Sequence, residues 1–458
     1  MSVQNNKHQY LIFITSLLFF FPRINIFSFG DAHTAGLRID DIILLFIFIS
    51  LVFKEKIFNL NVSKSHLIYF SFVFISFLSF FFNNYYEDNY LGGTSILYPI
   101  RYVEYFVFFV VGSLIVNHSS FIKIVLYLAL YQIIIIIFQY LGFFPAFTST
   151  DGINFSVVAG MTGGPWEVSI VLTVCFAVYV NHFNKLKYLI YSFIIIAVLT
   201  YINFYILGSR SSSITFIVLT FILICLNIKN YCHNSILNKI ILTLILFTSF
   251  IIIVLVKPTL IESNSDQLNI DCEYSIEKCS NNMVLNRSGN LIKLDNYYLL
   301  IDFYKFVRSN VGEEKIPIGR LYNEKNNLNK IALINFSNIN NVDLSWLMRT
   351  EKWIYGVSLW QDKLPYSIFL GIGPGAVGPS FDGSWLRLFV ENGIIGLLLI
   401  ITFFAHLLRK NLFNFLPILA ISLNMLFIDA FLAYKSVSLI LFILGYYTSL
   451  KKNVNRKL

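Results

Sequence analysis

Apolar runs close to the length of a membrane span recur along most of this 458-residue chain. A helix needs about 20 such residues to cross a bilayer. Hydrophobic residues make up 57% of the sequence, against about 45–50% in soluble domains. The chain reads as an all-α polytopic membrane protein. Candidate spans fall at 9–29, 40–53, 66–82, 97–116, 121–141, 164–182, 187–207, 211–228, 236–256, 384–406, 412–429 and 436–450, about twelve by the length rule. The first run lacks a small-residue cleavage site and reads as a span rather than a signal peptide. Three regions follow: spans one to nine over 1–256, a large polar segment over 257–383, and spans ten to twelve with a tail over 384–458.

The net charge of +9 raises the question of nucleic acid, but its distribution answers it. Lys54, Lys56, Lys64, Lys123, Lys185, Lys187, Lys229, Lys239, Arg409 and Lys410 fall in alternate short connections, and Lys7, Lys451, Lys452, Arg456 and Lys457 near the ends. The positive-inside rule makes that side cytoplasmic and places both ends there. The polar segment then lies outside with nearly balanced charge. It reads as helices and loops, with a surface-lying amphipathic stretch at 297–307 and a helix at 345–364.

The external cations differ in kind. They are Arg23, Arg38, Arg101, Arg210, Arg387 and Lys435, almost all arginine. Topology asks for no particular cation there. Bidentate recognition of phosphate or carboxylate asks for arginine; helix-end snorkelling is the competing reading. Cys272 and Cys279 can pair in an oxidising compartment or stay as thiols. No metal-ligand spacing is present.

Several short patterns place polar groups at external span ends. Tyr98-Pro-Ile-Arg101-Tyr-Val-Glu104 opens a span, with Arg101 and Glu104 spaced to pair. In Gly163-Gly-Pro-Trp166-Glu167, Pro165 suits a helix start and Glu167 sits at the positive dipole end. Glu167 either caps that helix or meets a sugar hydroxyl. Gly208-Ser-Arg210 is a tight serine-rich turn carrying one arginine. Arg349 and Trp353 share a helix face, where they can grip an anion and a sugar ring together. Gly371-Ile-Gly-Pro-Gly375 is an ordinary tight turn or an amide cradle for phosphate. After it, Asp382, Trp385, Arg387 and Glu391 stand at the mouth of a span. Charge beside lipid is costly and tends to serve ligands, ions or catalysis; equally, Arg387 and Glu391 are spaced to neutralise each other.

These patterns, in this order and topology, resemble the O-antigen polymerase/ligase superfamily of bacterial surface-polysaccharide assembly over nearly the whole chain. The resemblance implies a GT-C-like glycosyltransferase of the inner membrane. It would act at the periplasmic face on undecaprenyl-pyrophosphate-linked oligosaccharides, with no cofactor and no metal, beside membrane lipids and a chain-length regulator. The ligase branch carries a histidine near the end of the large loop, where this chain has Asp382-Gly-Ser-Trp-Leu386. That departure favours a polymerase joining repeat units. A ligase acting on lipid A–core and a lipid-linked oligosaccharide flippase stay open as alternatives.

On this reading Arg210, Arg349, Arg101 and Arg387 bind pyrophosphate. Glu167 is the first candidate for a base, with Asp382 and Glu391 behind it. Trp166, Trp353 and Trp385 stack on sugars. The expectation is that these arginines gather beside one carrier.

Overall fold

The computed structural model describes residues 9–22, 25–28, 36–54, 64–86, 93–115, 118–148, 152–155, 157–182, 189–231, 283–285, 291–293, 298–299, 335–336, 353, 356–357, 359–361, 363–377 and 381–454. Most of these residues are helical. The helices are α1 (Gln9–Leu17), α2 (Ile39–Lys54), α3 (Lys64–Tyr86), α4 (Leu97–Ser113), α5 (His118–Tyr140), α6 (Pro165–His182), α7 (Leu189–Tyr201), α8 (Arg210–Tyr231), α9 (Ser367–Leu370), α10 (Ser384–Lys410), α11 (Phe415–Asn424) and α12 (Tyr434–Val454).

Among the described residues, α3, α5 and α10 are long and apolar enough to cross a membrane, and shorter apolar helices lie at Ile194–Ile206, Ser211–Leu223 and Leu412–Asn424. Large apolar side chains face outward along these helices, among them Phe70 and Phe74 on α3, Leu130 and Ile134 on α5, and Leu398 and Ile401 on α10. An outward apolar face is what a lipid environment asks for. By contrast, α6 and α12 are enclosed, with residues 167–180 and 434–447 buried throughout.

The tightest helix contact is between α4 and α12. Gly112 of α4 lies against the Phe442 carbonyl, and Gly445 of α12 lies against the Phe109 carbonyl, so a Cβ on either glycine would overlap the other backbone. Small residues at such crossings let helices pack where lipid offers no hydrophobic drive.

Three elements differ from the sequence expectation. The run at 9–29 is not one helix: α1 stops at Leu17, Pro22 follows, and β1 (Asn25–Ser28) pairs antiparallel with β2 (Gly36–Arg38). Proline cannot carry on a helical ladder. In the run at 412–429 a short helical turn, Leu412–Asn414, leads into the ten residues of α11, and Asp429 lies in the turn beyond it. Within the polar segment, β5 (Met283–Leu285) pairs with β6 (Leu291–Lys293), and β7 (Tyr298–Leu299) pairs with β8 (Asn335–Phe336). Residues 298–299, within the stretch expected to lie along the membrane surface, are strand. A further ribbon joins β3 (Ala146–Thr148) to β4 (Gly152–Asn154). The span expected at 236–256, Cys272 and Cys279 fall outside the described residues.

Side-chain bonds give the bundle a polarity. The first turns of α2 and α4 meet through Asp41 and Arg101, and those of α4 and α10 through Tyr98 and Arg387. The first turns of α6 and α12 meet through Glu167 and Lys435. The α8 start joins the α11 end through Ser212 and Asn424, and Trp385 at the α10 start binds the same end of α11. The even-numbered long helices all begin at one end of the bundle. Their amide ends, each carrying about half a positive charge, point the same way.

Candidate functional site

Two ionic clusters occupy this end, the first buried and the second partly so. The first is built on the opening of α10. Arg387 and Glu391 are one helical turn apart and share a face. The Arg387 guanidinium reaches Glu391 through Nε (3.1 Å) and Nη2 (3.1 Å), and donates through Nη1 to Asp429 Oδ2 (2.9 Å). Asp429 Oδ2 also accepts from the Phe381 amide (2.7 Å). The Tyr98 ring of α4 lies 5.2 Å from the guanidinium carbon. Arg387 is only 2% exposed. The pairing with Glu391 was legible from spacing; Asp429 was missed, although a carboxylate ending an apolar run is a signal in itself.

This cluster sits above a break in α10. Gly393 adopts φ 64° and ψ −173°, which interrupts the helix. The break leaves the Val390 and Glu391 carbonyls to accept from the amides of Ile372 (2.9 Å) and Gly373 (3.0 Å). Ser79 Oγ donates to the same Glu391 carbonyl (3.0 Å). Gly371 (φ 74°) lies directly against the Glu391 backbone, where any side chain would collide. The Gly371–Gly375 turn therefore spends these amides on the helix break.

The second cluster surrounds Tyr434, the first residue of α12. Arg101 donates through Nη1 to Asp41 Oδ1 (2.6 Å) and Glu104 Oε2 (2.7 Å). Arg38 lies 3.5 Å from Asp41 Oδ1 and 3.8 Å from Asp40 Oδ1. Its guanidinium carbon stands 4.5 Å from the centre of the Tyr434 ring, Lys435 Nζ 5.4 Å, and Arg101 5.6 Å. Lys435 Nζ donates to the Leu18 carbonyl at the end of α1. Tyr98 and Arg101 are separated by about 4.5 Å of helix rise, so α4 carries one face into each cluster. Arg38, Tyr434 and Lys435 were not among the residues assigned to the site from sequence. Lys435 was visible as a cation opening a span; Tyr434 gave no signal.

Glu167 lies at the start of α6 and is 1% exposed. Oε2 accepts from the Gly163 amide (2.7 Å) and Oε1 from the Lys435 amide (2.7 Å). Both oxygens thus serve backbone groups at helix starts, the capping alternative weighed for this residue. Trp166 packs beside Gly164. Trp385 donates through Nε1 to the Ser422 carbonyl (3.0 Å), which commits its polar atom to α11. Trp353 donates through Nε1 to the Asp382 carbonyl (2.7 Å), and its indole lies over Gly383. Asp382 is partly exposed and holds φ 57°, a conformation that a residue with a side chain adopts reluctantly.

Arg210 begins α8 at the same end. A five-residue π-turn, Ile202–Ile206, leads into that start, and Asn203 within it accepts from Ser169 Oγ (2.5 Å). Arg349 lies outside the described residues. Of the four arginines expected together, Arg101 and Arg387 stand in neighbouring clusters, each held by two carboxylates. No family model matches this chain, and no curated protein matches it.

Proposed function

We propose that the protein is a multi-pass bacterial inner-membrane glycosyltransferase of GT-C type. It joins undecaprenyl-pyrophosphate-linked oligosaccharide units into a surface polysaccharide at the periplasmic face. In this reading it has about twelve spans, and both ends are cytoplasmic. The observation that carries it is the convergence of helix amide ends, half-buried Arg101 and buried Arg387 and Lys435 on one end of the bundle.

In the proposed reaction the anomeric carbon–oxygen bond to pyrophosphate breaks, and its electron pair leaves with the diphosphate. The hydroxyl of the incoming unit forms the new glycosidic bond and gives up its proton. Negative charge grows on the leaving group, so preorganised cations and helix starts lower the barrier. One such donor contributes about 3 kcal/mol. Arg210 and Arg349 contact the diphosphate, while Arg101 and Arg387, each held by two carboxylates, fix the helix starts whose amide ends supply the positive field. With Glu167 engaged by two amides, Asp382 is the carboxylate for the acceptor proton. Trp353, held to the Asp382 carbonyl, stacks on the sugar.

The test is extension of purified lipid-linked repeat units by the purified protein without nucleotide or metal. A ladder of longer lipid-linked products is expected. Transfer only to lipid A–core, or no product, overturns the reading. The break in α10 beside buried charges favours a second reading, a lipid-linked oligosaccharide flippase, because broken helices with charge line transport sites. Translocation of such a lipid in proteoliposomes without extension selects it.

A further inference from the structure

Arg101 and Arg387 have their forks filled by carboxylates, but Arg38 does not. Its side chain is 1% exposed, yet Nε, Nη1 and Nη2 make no hydrogen bond among the described residues. Its nearest carboxylate oxygens stand off at 3.5 and 3.8 Å. Burying such a donor set without hydrogen bonds is costly, even beside two carboxylates, and native proteins rarely leave it so. Three other buried groups nearby are also unbonded: Asp40 Oδ2, the Tyr434 hydroxyl, and Thr15 Oγ1 one turn before Leu18.

The local charge selects the kind of ligand. Arg38, Arg101 and Lys435 balance Asp40, Asp41 and Glu104. Glu167 adds a negative charge against the starts of α6 and α12. The starts of α2, α4, α6 and α12 each contribute about half a positive charge, which outweighs it. The remaining field is positive, and the open donors are a guanidinium fork, the group best matched to a phosphoryl ester.

We propose that Arg38 is the seat of a phosphate ester carried by a lipid, with Lys435 beside it across the Tyr434 ring. That the ester is borne by a lipid rests on the proposed reaction; the anion seat does not.

The test measures binding to the full-length protein in nanodiscs, using farnesyl diphosphate, inorganic pyrophosphate and farnesol as probes. Farnesyl diphosphate is expected to bind and farnesol not. Binding of inorganic pyrophosphate with equal affinity would keep the anion seat but assign it to free phosphate, overturning the lipid source. Arg38→Lys keeps the charge and loses the fork, and is expected to weaken farnesyl diphosphate by about tenfold or more. Asp40→Asn, which removes the facing carboxylate, is expected to tighten it, an effect that a purely structural Arg38 does not give. Unchanged affinity in both variants, or no binding by the wild type, overturns the seat. Repeat-unit extension by Arg38→Lys with wild-type probe affinity removes Arg38 from the site while leaving the polymerase reading intact. Probe binding without extension does the reverse.

Discussion

Glu167 and Lys435, far apart in sequence, are joined by a 2.7 Å bond from the Lys435 amide to Glu167 Oε1. Because Oε2 holds Gly163, one carboxylate ties the start of α6 to the start of α12. Ser436 Oγ adds a bond to the Glu167 carbonyl (3.3 Å). The residue that looked most like a base is placed as a clamp between helix dipoles.

Glu167→Gln should therefore act on stability first. A carboxamide can accept from only one of the two amides and turns its own N–H toward the other. The expected loss is about 1–3 kcal/mol, read as a lower unfolding temperature in detergent. A variant with wild-type melting but no polymer would restore Glu167 as the base.

Asp382→Asn should show the opposite pattern. The residue is partly exposed, and its strained backbone suits asparagine at least as well. Melting should hold while repeat-unit extension is lost. Full extension by this variant would remove Asp382 from the chemistry.

Asp429→Asn leaves Arg387 with Glu391 alone and weakens the hold on the Phe381 amide. Breaking a buried ion pair costs about 3–5 kcal/mol. Thermal unfolding should drop sharply, and proteolysis should open the 371–383 segment first. Wild-type melting would show that the Asp429 bond is dispensable.

Gly393→Ala should weaken the same docking from the other side. The left-handed backbone alone costs an alanine about 1–2 kcal/mol, and the new methyl would meet the Phe369 carbonyl. A variant that melts like wild type would mean that the helix break is not required.

The polarity of the bundle is open to labelling. Tyr85, 83% exposed, lies in the last turn of α3 at the site end, and Leu412, 81% exposed, lies at the opposite end. With the five native cysteines replaced, the proposed topology expects a cysteine at 85 to react with an impermeant maleimide added outside the inner membrane, and one at 412 not to. Equal labelling would refute a membrane between them.

Helix positions were largely legible because long apolar runs admit few other readings. Their interruptions were harder. Pro22 was visible but lay inside a run apolar enough to hide a stop, and the carboxyl end of 412–429 concealed a turn for the same reason. Pairings within one helix turn, Arg101 with Glu104 and Arg387 with Glu391, followed from spacing. Their outside partners, Asp41 and Asp429, lie 60 and 42 residues from the arginines they bind, and spacing carries no information about such distances. The even distribution of arginines at helix starts was readable. Which of them would be quenched by carboxylates was not.

Asp429, Tyr434 and Lys435 come late in the chain, yet each completes a cluster begun far earlier. While the ribosome is still upstream of them, Arg387 lacks its second carboxylate and Glu167 lacks the amide its Oε1 serves. Until then Arg387 has Glu391 alone, and the start of α6 is not yet joined to α12. Closing the second cluster and the Glu167 clamp therefore waits on α12, whose seat against α4 is set by Gly112 and Gly445.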